Sequence, residues 1–244
     1  MKVFIAGGRG RVGSKVATML NVRGVETVSG GLEDGIDLIE GSGLHEALSG
    51  ATVIVNVVNT GRFDREGAVE FFERTTRTLT EAGMATGVRH HVLLSIVGVG
   101  EGDASDQGYY LGKVAQERAV KAAGIPYTIV RSTQFQSYIP VLADQHTSDG
   151  VVHASRALIQ PVEIDELVQL LVDVAMSDPL GEIELAGPEQ YHLDDLFRAT
   201  LAASGDAREV VTDEVTGPID GLVPRGEYRQ GTTLYPVRGI PLAS

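Results

Sequence analysis

VFIAGGRGRVGSKVATML, residues 3–20, decides the fold. An apolar run of strand length ends at a pair of glycines. Glycine recurs at positions 7, 10 and 13, and residues 11–22 then carry an amphipathic helical period. Glycine serves three purposes in such a turn: a tight reversal, close approach of backbone to a pyrophosphate, and close contact of helix with strand. The helix would meet the phosphates with its free N–H groups and the positive end of its dipole. A lone glycine triplet carries little weight. Set between the first strand and the first helix of a chain that continues β-α-β, it marks a dinucleotide site of Gly7, Arg9, Gly10, Arg11, Val12 and Gly13.

Outward from this turn, strand-length apolar runs alternate with helix-length amphipathic ones. Strands are expected at 2–6, 25–29, 51–58, 90–98 and 127–131, and helices at 11–22, 65–86 and 109–123. Strands apolar on both faces and separated by helices predict a parallel sheet covered on each side, a Rossmann-like doubly wound α/β fold. Beyond 135 the rhythm loosens to helices at 164–176 and near 193–203 flanking a short strand at 182–186. The expected division is a nucleotide-binding core, 1–135, and a small substrate-side lobe and tail, 136–244. The tail from 217 is rich in Gly and Pro and reads as coil or a lid.

Composition narrows the function classes. The net charge of −13 argues against sequence-independent nucleic-acid binding, which needs clustered Lys and Arg. No cysteine is present, which excludes disulfides, thiolate catalysis and cysteine-based zinc sites. No apolar run approaches the roughly 20 residues of a membrane span, so the expected setting is cytoplasmic, with no membrane partner. His90 and His91 are adjacent in a strand and point to opposite faces, and the other histidines lack ligand spacing, so no metal is expected.

The glycine spacing is GxxGxxG. With GIDLIEGSGLHEALSGATVIVNVV (35–58), HHVLLSIVG (90–98) and GIPYTIVRSTQF (124–135), the chain resembles the atypical, NmrA-like branch of the short-chain dehydrogenases/reductases over about residues 1–205. The resemblance implies that Asp37 and Leu38 contact adenine. It also implies a homodimer or homotetramer. Val57, Val58 and Asn59 follow a buried strand at the carboxyl edge of the sheet, where ligands bind. Ser132 would line the nicotinamide, and Thr133, Gln134 and Phe135 the substrate. No acid or base stands at Ser29-Gly30-Gly31, where a ribose 2′-hydroxyl would be read. Arg9 and Arg11 could pair with a 2′-phosphate, opposed by the nearby Glu33 and Asp34, so NADP is favoured over NAD.

DQGYYLGKVAQERAV, 106–120, raises the question of chemistry. Tyr109 and Lys113, four apart, share a helix face. Ser95 precedes them at the end of a strand, in the order Ser, then Tyr-x-x-x-Lys, that the superfamily uses. Hydride addition to a carbonyl leaves an alkoxide that needs a proton. A phenol supplies it, and an adjacent ammonium favours the phenolate. The resemblance implies that Lys113 also bonds the nicotinamide ribose and that Ser95 holds the substrate oxygen. It also leads one to expect an Asn in the preceding long helix, yet 65–86 has none and carries Thr75, Thr76 and Thr78. The expected function is an NAD(P)H-dependent oxidoreductase acting on a small carbonyl, quinone or enone. The alternatives are a non-catalytic NAD(P)-sensing regulator and an NAD-retaining epimerase or isomerase.

Overall fold

The computed structural model describes residues 1–61, 64–100, 108–213, 223–237, 239–240 and 242. In chain order the first half contains β1 (Lys2–Ala6), α1 (Arg11–Val22), β2 (Glu26–Gly30), α2 (Leu44–Leu48), β3 (Val53–Asn56), α3 (Arg65–Thr86), β4 (His90–Ile96), α4 (Gly108–Ala122) and β5 (Tyr127–Ser132). The second half adds α5 (Ile139–Gln145), β6 (Thr147–Ser148), β7 (Val151–Ser155), β8 (Leu158–Ile159), α6 (Ile164–Ala175), β9 (Gly181–Ala186), β10 (Tyr191–His192), α7 (Leu193–Ser204), β11 (Glu209–Asp213) and β12 (Arg229–Gln230).

The central sheet has seven parallel strands in the order β12-β9-β5-β4-β3-β1-β2, flanked by helices, which is the Rossmann-like α/β architecture. Continuous burial along β1 and β3 explains why these strands read as unbroken apolar runs. The helices bury one stripe each. In α1 this is Val12, Gly13, Val16 and Leu20. The long α3 starts at Asp64, whose carboxylate accepts from Gly67 N at 2.7 Å. It ends on Gly87 in the left-handed region, where glycine costs least.

The chain forms two compact units. One comprises Met1–Ser95, the described part of Ser105–Arg131, and Val168–Ile183; Phe4, Leu44, Leu48, Ile54 and Leu79 lie in its core. The other comprises Ser132–Leu167 with the described parts of 96–104 and Glu184–Ser244. Its core gathers Ile139, Leu142, Val152, Leu196, Phe197 and Tyr235. In this second unit β11, β7 and β6 make a three-stranded sheet and β10 pairs with β8.

Candidate functional site

The site begins where the sheet changes direction. β1 lies between β2 and β3, so the chain leaves it first to one side and then to the other. Such a switch point opens a crevice beyond the carboxyl ends of the two central strands. Gly7 turns there with φ +80°, and a Cβ on it would stand 3.0 Å from Val57 O and 3.2 Å from Val58 Cα. A Cβ on Gly13 would stand 2.2 Å from Gly7 O, so α1 lies against the turn only because Gly13 has no side chain. Gly10 is the N-cap of α1 and supplies no side-chain cap, while its own Cβ would have 3.2 Å to Gly7 O. The first N–H groups of a helix lack intrahelical partners, and this bare end beside three glycines fits a pyrophosphate. Buried Val12 anchors the first turn of α1.

Past β2, Arg9 Nη2 lies 2.6 Å from Asp34 Oδ1, and Arg9 Nε lies 3.7 Å from Glu33. The second oxygen of Asp34, Oδ2, is buried without a hydrogen-bond partner among the described residues. Thus an acid not at Ser29–Gly31 but a few residues later faces the glycine turn through Arg9. Asp37 serves its own loop, accepting from Ile39 N at 2.8 Å and Glu40 N at 3.1 Å. Leu38 packs on the core of the first unit.

Tyr109 at the start of α4 donates from its hydroxyl to Asn59 Oδ1 at 2.9 Å, and Asn59 follows the Val57–Val58 pair that stands against Gly7. Its ring meets Phe72 of α3 edge-on at 5.7 Å between centroids, and Lys113 Nζ sits 4.6 Å from the centre of the same Phe72 ring. Tyr109 and Lys113 therefore share one face, with Phe72 against both. Gly112 allows this closeness, since a Cβ there would come within 2.6 Å of the Phe72 ring. Lys113 is buried and donates to Leu94 O at 3.1 Å and to Gln116 Oε1 at 2.8 Å. Burial pushes its ammonium down to about 7, against the charge of Glu117, which raises it.

Ser95 is buried at the end of β4, and its hydroxyl donates to Glu117 Oε1 at 2.7 Å. Glu117 in turn is held by Arg131 through two hydrogen bonds of 2.9 and 2.6 Å, and Arg131 also reaches Glu182 at 2.6 Å. The Ser95 hydroxyl is thus directed to an ion-pair network one helical turn beyond Lys113. Of the threonines of α3, Thr75 bonds Phe71 O and Thr78 bonds Ile39 O, while the buried Thr76 hydroxyl has no partner among the described residues.

In the second unit, Ser132 O accepts from Val97 N at 3.0 Å, and Thr133 Oγ1 donates to Gln160 O at 2.6 Å. Gln134 O accepts from Val162 N at 2.9 Å, and Phe135 forms a bridge with Val162. His90 Nε2 lies 2.9 Å from Thr128 Oγ1, and His91 is wholly buried, which pushes its imidazolium down to about 3.

Reading by sequence missed Phe72, Gln116 and the Glu117–Arg131 pair. Phe72 follows the helical period and was indistinguishable from core. Glu117 and Arg131 are fourteen residues apart on different elements, so no local spacing links them. The sequence places Asn59 among the nucleotide contacts, and nothing in its position announces its bond to Tyr109.

A family model described as NAD(P)H-binding matches residues 7–151, more than half of the 244 residues. A curated relative from Streptomyces griseus, (4-alkanoyl-5-oxo-2,5-dihydrofuran-3-yl)methyl phosphate reductase, is 28% identical over 166 residues, 62% of this chain and 54% of the relative. The match spans about half the length of that relative. Among solved structures, a dTDP-4-dehydrorhamnose reductase from Clostridium acetobutylicum superposes with a TM-score of 0.70 at 18% identity, over 87% of this chain and 84% of that one. A short-chain dehydrogenase/reductase superfamily protein from Agrobacterium tumefaciens with bound NAD gives 0.69 at 17%, over 95% and 89%. A UDP-glucose 4-epimerase from Thermus thermophilus in complex with NAD gives 0.65 at 17%, over 95% and 89%. At these identities the likeness to solved structures is one of fold. The chain belongs to the NAD(P)H-binding family and has the fold of the short-chain dehydrogenases/reductases.

Proposed function

We propose that the protein is an NAD(P)H-dependent reductase of the atypical, NmrA-like type that reduces a small conjugated carbonyl compound. The observation that carries this reading is the Tyr109 hydroxyl bonded to Asn59, with the Tyr109 ring and the Lys113 ammonium both against Phe72. The curated relative's name describes an alkanoyl-substituted unsaturated lactone, which supports enones, unsaturated lactones and quinones as the acceptor class.

Gly7, Gly10 and Gly13 with the start of α1 would hold the pyrophosphate, and Val57 and Val58 would wall the crevice. Bound NAD(P)H supplies the hydride. Tyr109 gives its proton to the oxygen that gains charge, forming an O–H bond there as its own breaks, and is reprotonated from solvent. Lys113 acts beneath it through its charge at the shared Phe72 face. Both nucleotides are accepted on this reading. Asp34 would take the ribose 2′-hydroxyl of NADH, and Arg9, released from Asp34, the 2′-phosphate of NADPH. Ser132, Thr133, Gln134 and Phe135 remain the proposed nicotinamide and substrate contacts.

A second reading, an NAD(P)-sensing regulator without turnover, is favoured by one specific observation: the Ser95 hydroxyl and the Lys113 ammonium are both bonded within the protein. Oxidation of NADPH and NADH over a panel of enones, butenolides, quinones and ketones separates the two. The reductase should turn over at least one acceptor, and Tyr109→Phe should lose about a hundredfold or more in kcat while keeping nucleotide affinity. Tight nucleotide binding with no turnover across the panel would favour the regulator.

A further inference from the structure

Gln116 follows Lys113 on α4 and is wholly buried. Its Oε1 accepts from Lys113 Nζ at 2.8 Å, while its Nε2 is buried with no hydrogen-bond partner among the described residues. A buried donor left unmet costs stability, so packing alone would favour an apolar side chain at this position. What the amide gives in return is one oxygen, aimed at the ammonium. The reverse orientation would set N–H donors against the hydrogens of the ammonium, so the charge of Lys113 decides which way the amide lies.

An ammonium has three hydrogens to place. One goes to Leu94 O at 3.1 Å and one to Gln116, and the Phe72 ring of α3 receives the charge at 4.6 Å from its centre. From α3 and β4, then, its contacts are a ring and a carbonyl, neither of which titrates. On its own helix the titratable neighbours are Tyr109, against the same Phe72 ring, and Glu117. Glu117 is committed to the Ser95 hydroxyl and to Arg131 of β5, which Glu182 of β9 also pairs. Its charge reaches Lys113 through space, whereas Gln116 touches it. Burial drives an ammonium toward its neutral form, and hydrogen bonds to the charged form oppose that.

We propose that Gln116 is the positioning residue of Lys113: its Oε1 holds the ammonium charged at the Phe72 face, where that charge favours the phenolate Tyr109 becomes as it gives its proton to the substrate oxygen. Gln116 itself acts only through Lys113. The effect on turnover rests on the reductase reading; the bond does not, and the test separates the two. The chain has four lysines, Lys2, Lys15, Lys113 and Lys121, so 13Cε-lysine-labelled protein gives few signals, and that of Lys113 is the one lost in Lys113→Met. Gln116→Met keeps the length of the side chain and loses the oxygen. In it the Lys113 titration midpoint should fall by about one pH unit, the scale of one hydrogen bond to a charged group. In Gln116→Glu it should rise by about as much, since a carboxylate favours the ammonium. With whichever panel acceptor the parent reduces, kcat should decline at high pH as Lys113 loses its proton. That limb should move down in Gln116→Met and up in Gln116→Glu by the displacements read from the spectra. Displacements are compared rather than midpoints, because kcat reports groups in the bound complex.

A Lys113 midpoint that stays in place in both variants, or moves the same way in both, would overturn the proposal. Midpoints that move while the kcat limb stays would overturn the link to Tyr109. Should Gln116→Met fail to fold, Gln116→Glu decides both points alone. A parent that reduces no acceptor overturns the reductase reading and the role in turnover with it. The labelled spectra then still decide whether Gln116 holds the charge.

Discussion

Lys113 is the residue at which burial and chemistry meet. Its ammonium has given up water for one carbonyl of β4, one amide oxygen and an aromatic face. An unfolded lysine titrates near 10.4, whereas burial brings this one down to about 7. Between those values the unfolded chain binds more protons than the folded one, so stability rises with pH across that window. Below about 7 both forms carry the charge and the full cost of burying it remains. Lys113→Met removes the titration. Its Tm relative to the parent should therefore be highest near pH 6.5 and decline toward pH 10, as followed by thermal melts in a common buffer series. A difference that is flat with pH would mean that the lysine stays charged in the fold. At this scale the sequence was partly legible. Spacing of four was enough to put Tyr109 and Lys113 on one face. The direction of the Ser95 hydroxyl was not legible, because Glu117 and Arg131 reach it from separate elements.

Among the elements, those with a period were found and those made by their partners were not. β1, α1, α3, β4, α4, β5, α6 and α7 fall within a few residues of their expected bounds. The run at 51–58 yields only Val53–Asn56 as strand, because Val57 and Val58 turn to pack against Gly7. The two-residue strands β6, β8, β10 and β12 are too short to carry a period; β6 exists by pairing with the adjacent β7, and β8, β10 and β12 by pairing with distant segments. The Gly- and Pro-rich tail reads from sequence as coil or a lid; its described part contains β12, while residues 214–222 lie outside the described residues. Beside the β12–β9 pairing, a carboxylate in the first turn of α6 binds the two residues Thr232 and Thr233. Glu166 Oε1 accepts from Thr232 N at 2.7 Å and Oγ1 at 2.8 Å, and from Thr233 N at 3.0 Å and Oγ1 at 3.1 Å. Partial burial pushes this carboxyl up, but those bonds outweigh it and hold it below the usual range. Removing the acceptor leaves these four exposed donors to water. Glu166→Ala should accelerate amide exchange at Thr232 and Thr233 at least tenfold, with β1 and β3 unchanged. Exchange at parental rates would mean that the segment is held by other contacts.

For the whole molecule, the Rossmann-like sheet and the NAD(P)H-binding match over 7–151 agree on a nucleotide-binding protein, with no helix among the described residues long and apolar enough to cross a membrane. The expected division at 135 differs in place from the two compact units. The segment Val168–Ile183 joins the first of them, a long-range association that no composition shift marks. Fold class was legible because one glycine turn and an alternation of periods specify it together. Substrate was not, because no motif in the second half carries it. The reductase reading makes a demand that neither a sensor nor an epimerase meets: net transfer of hydride to an acceptor. The direct measurement is mass analysis of product formed with each C4-deuterated epimer of NADPH and NADH, using the enone, butenolide or ketone of the panel that is reduced fastest, so that the label ends on carbon. One deuterium per product from a single epimer, and a rate lost in Tyr109→Phe, is the predicted result. Product without deuterium from either epimer, or deuterium transferred equally fast by Tyr109→Phe, would contradict it.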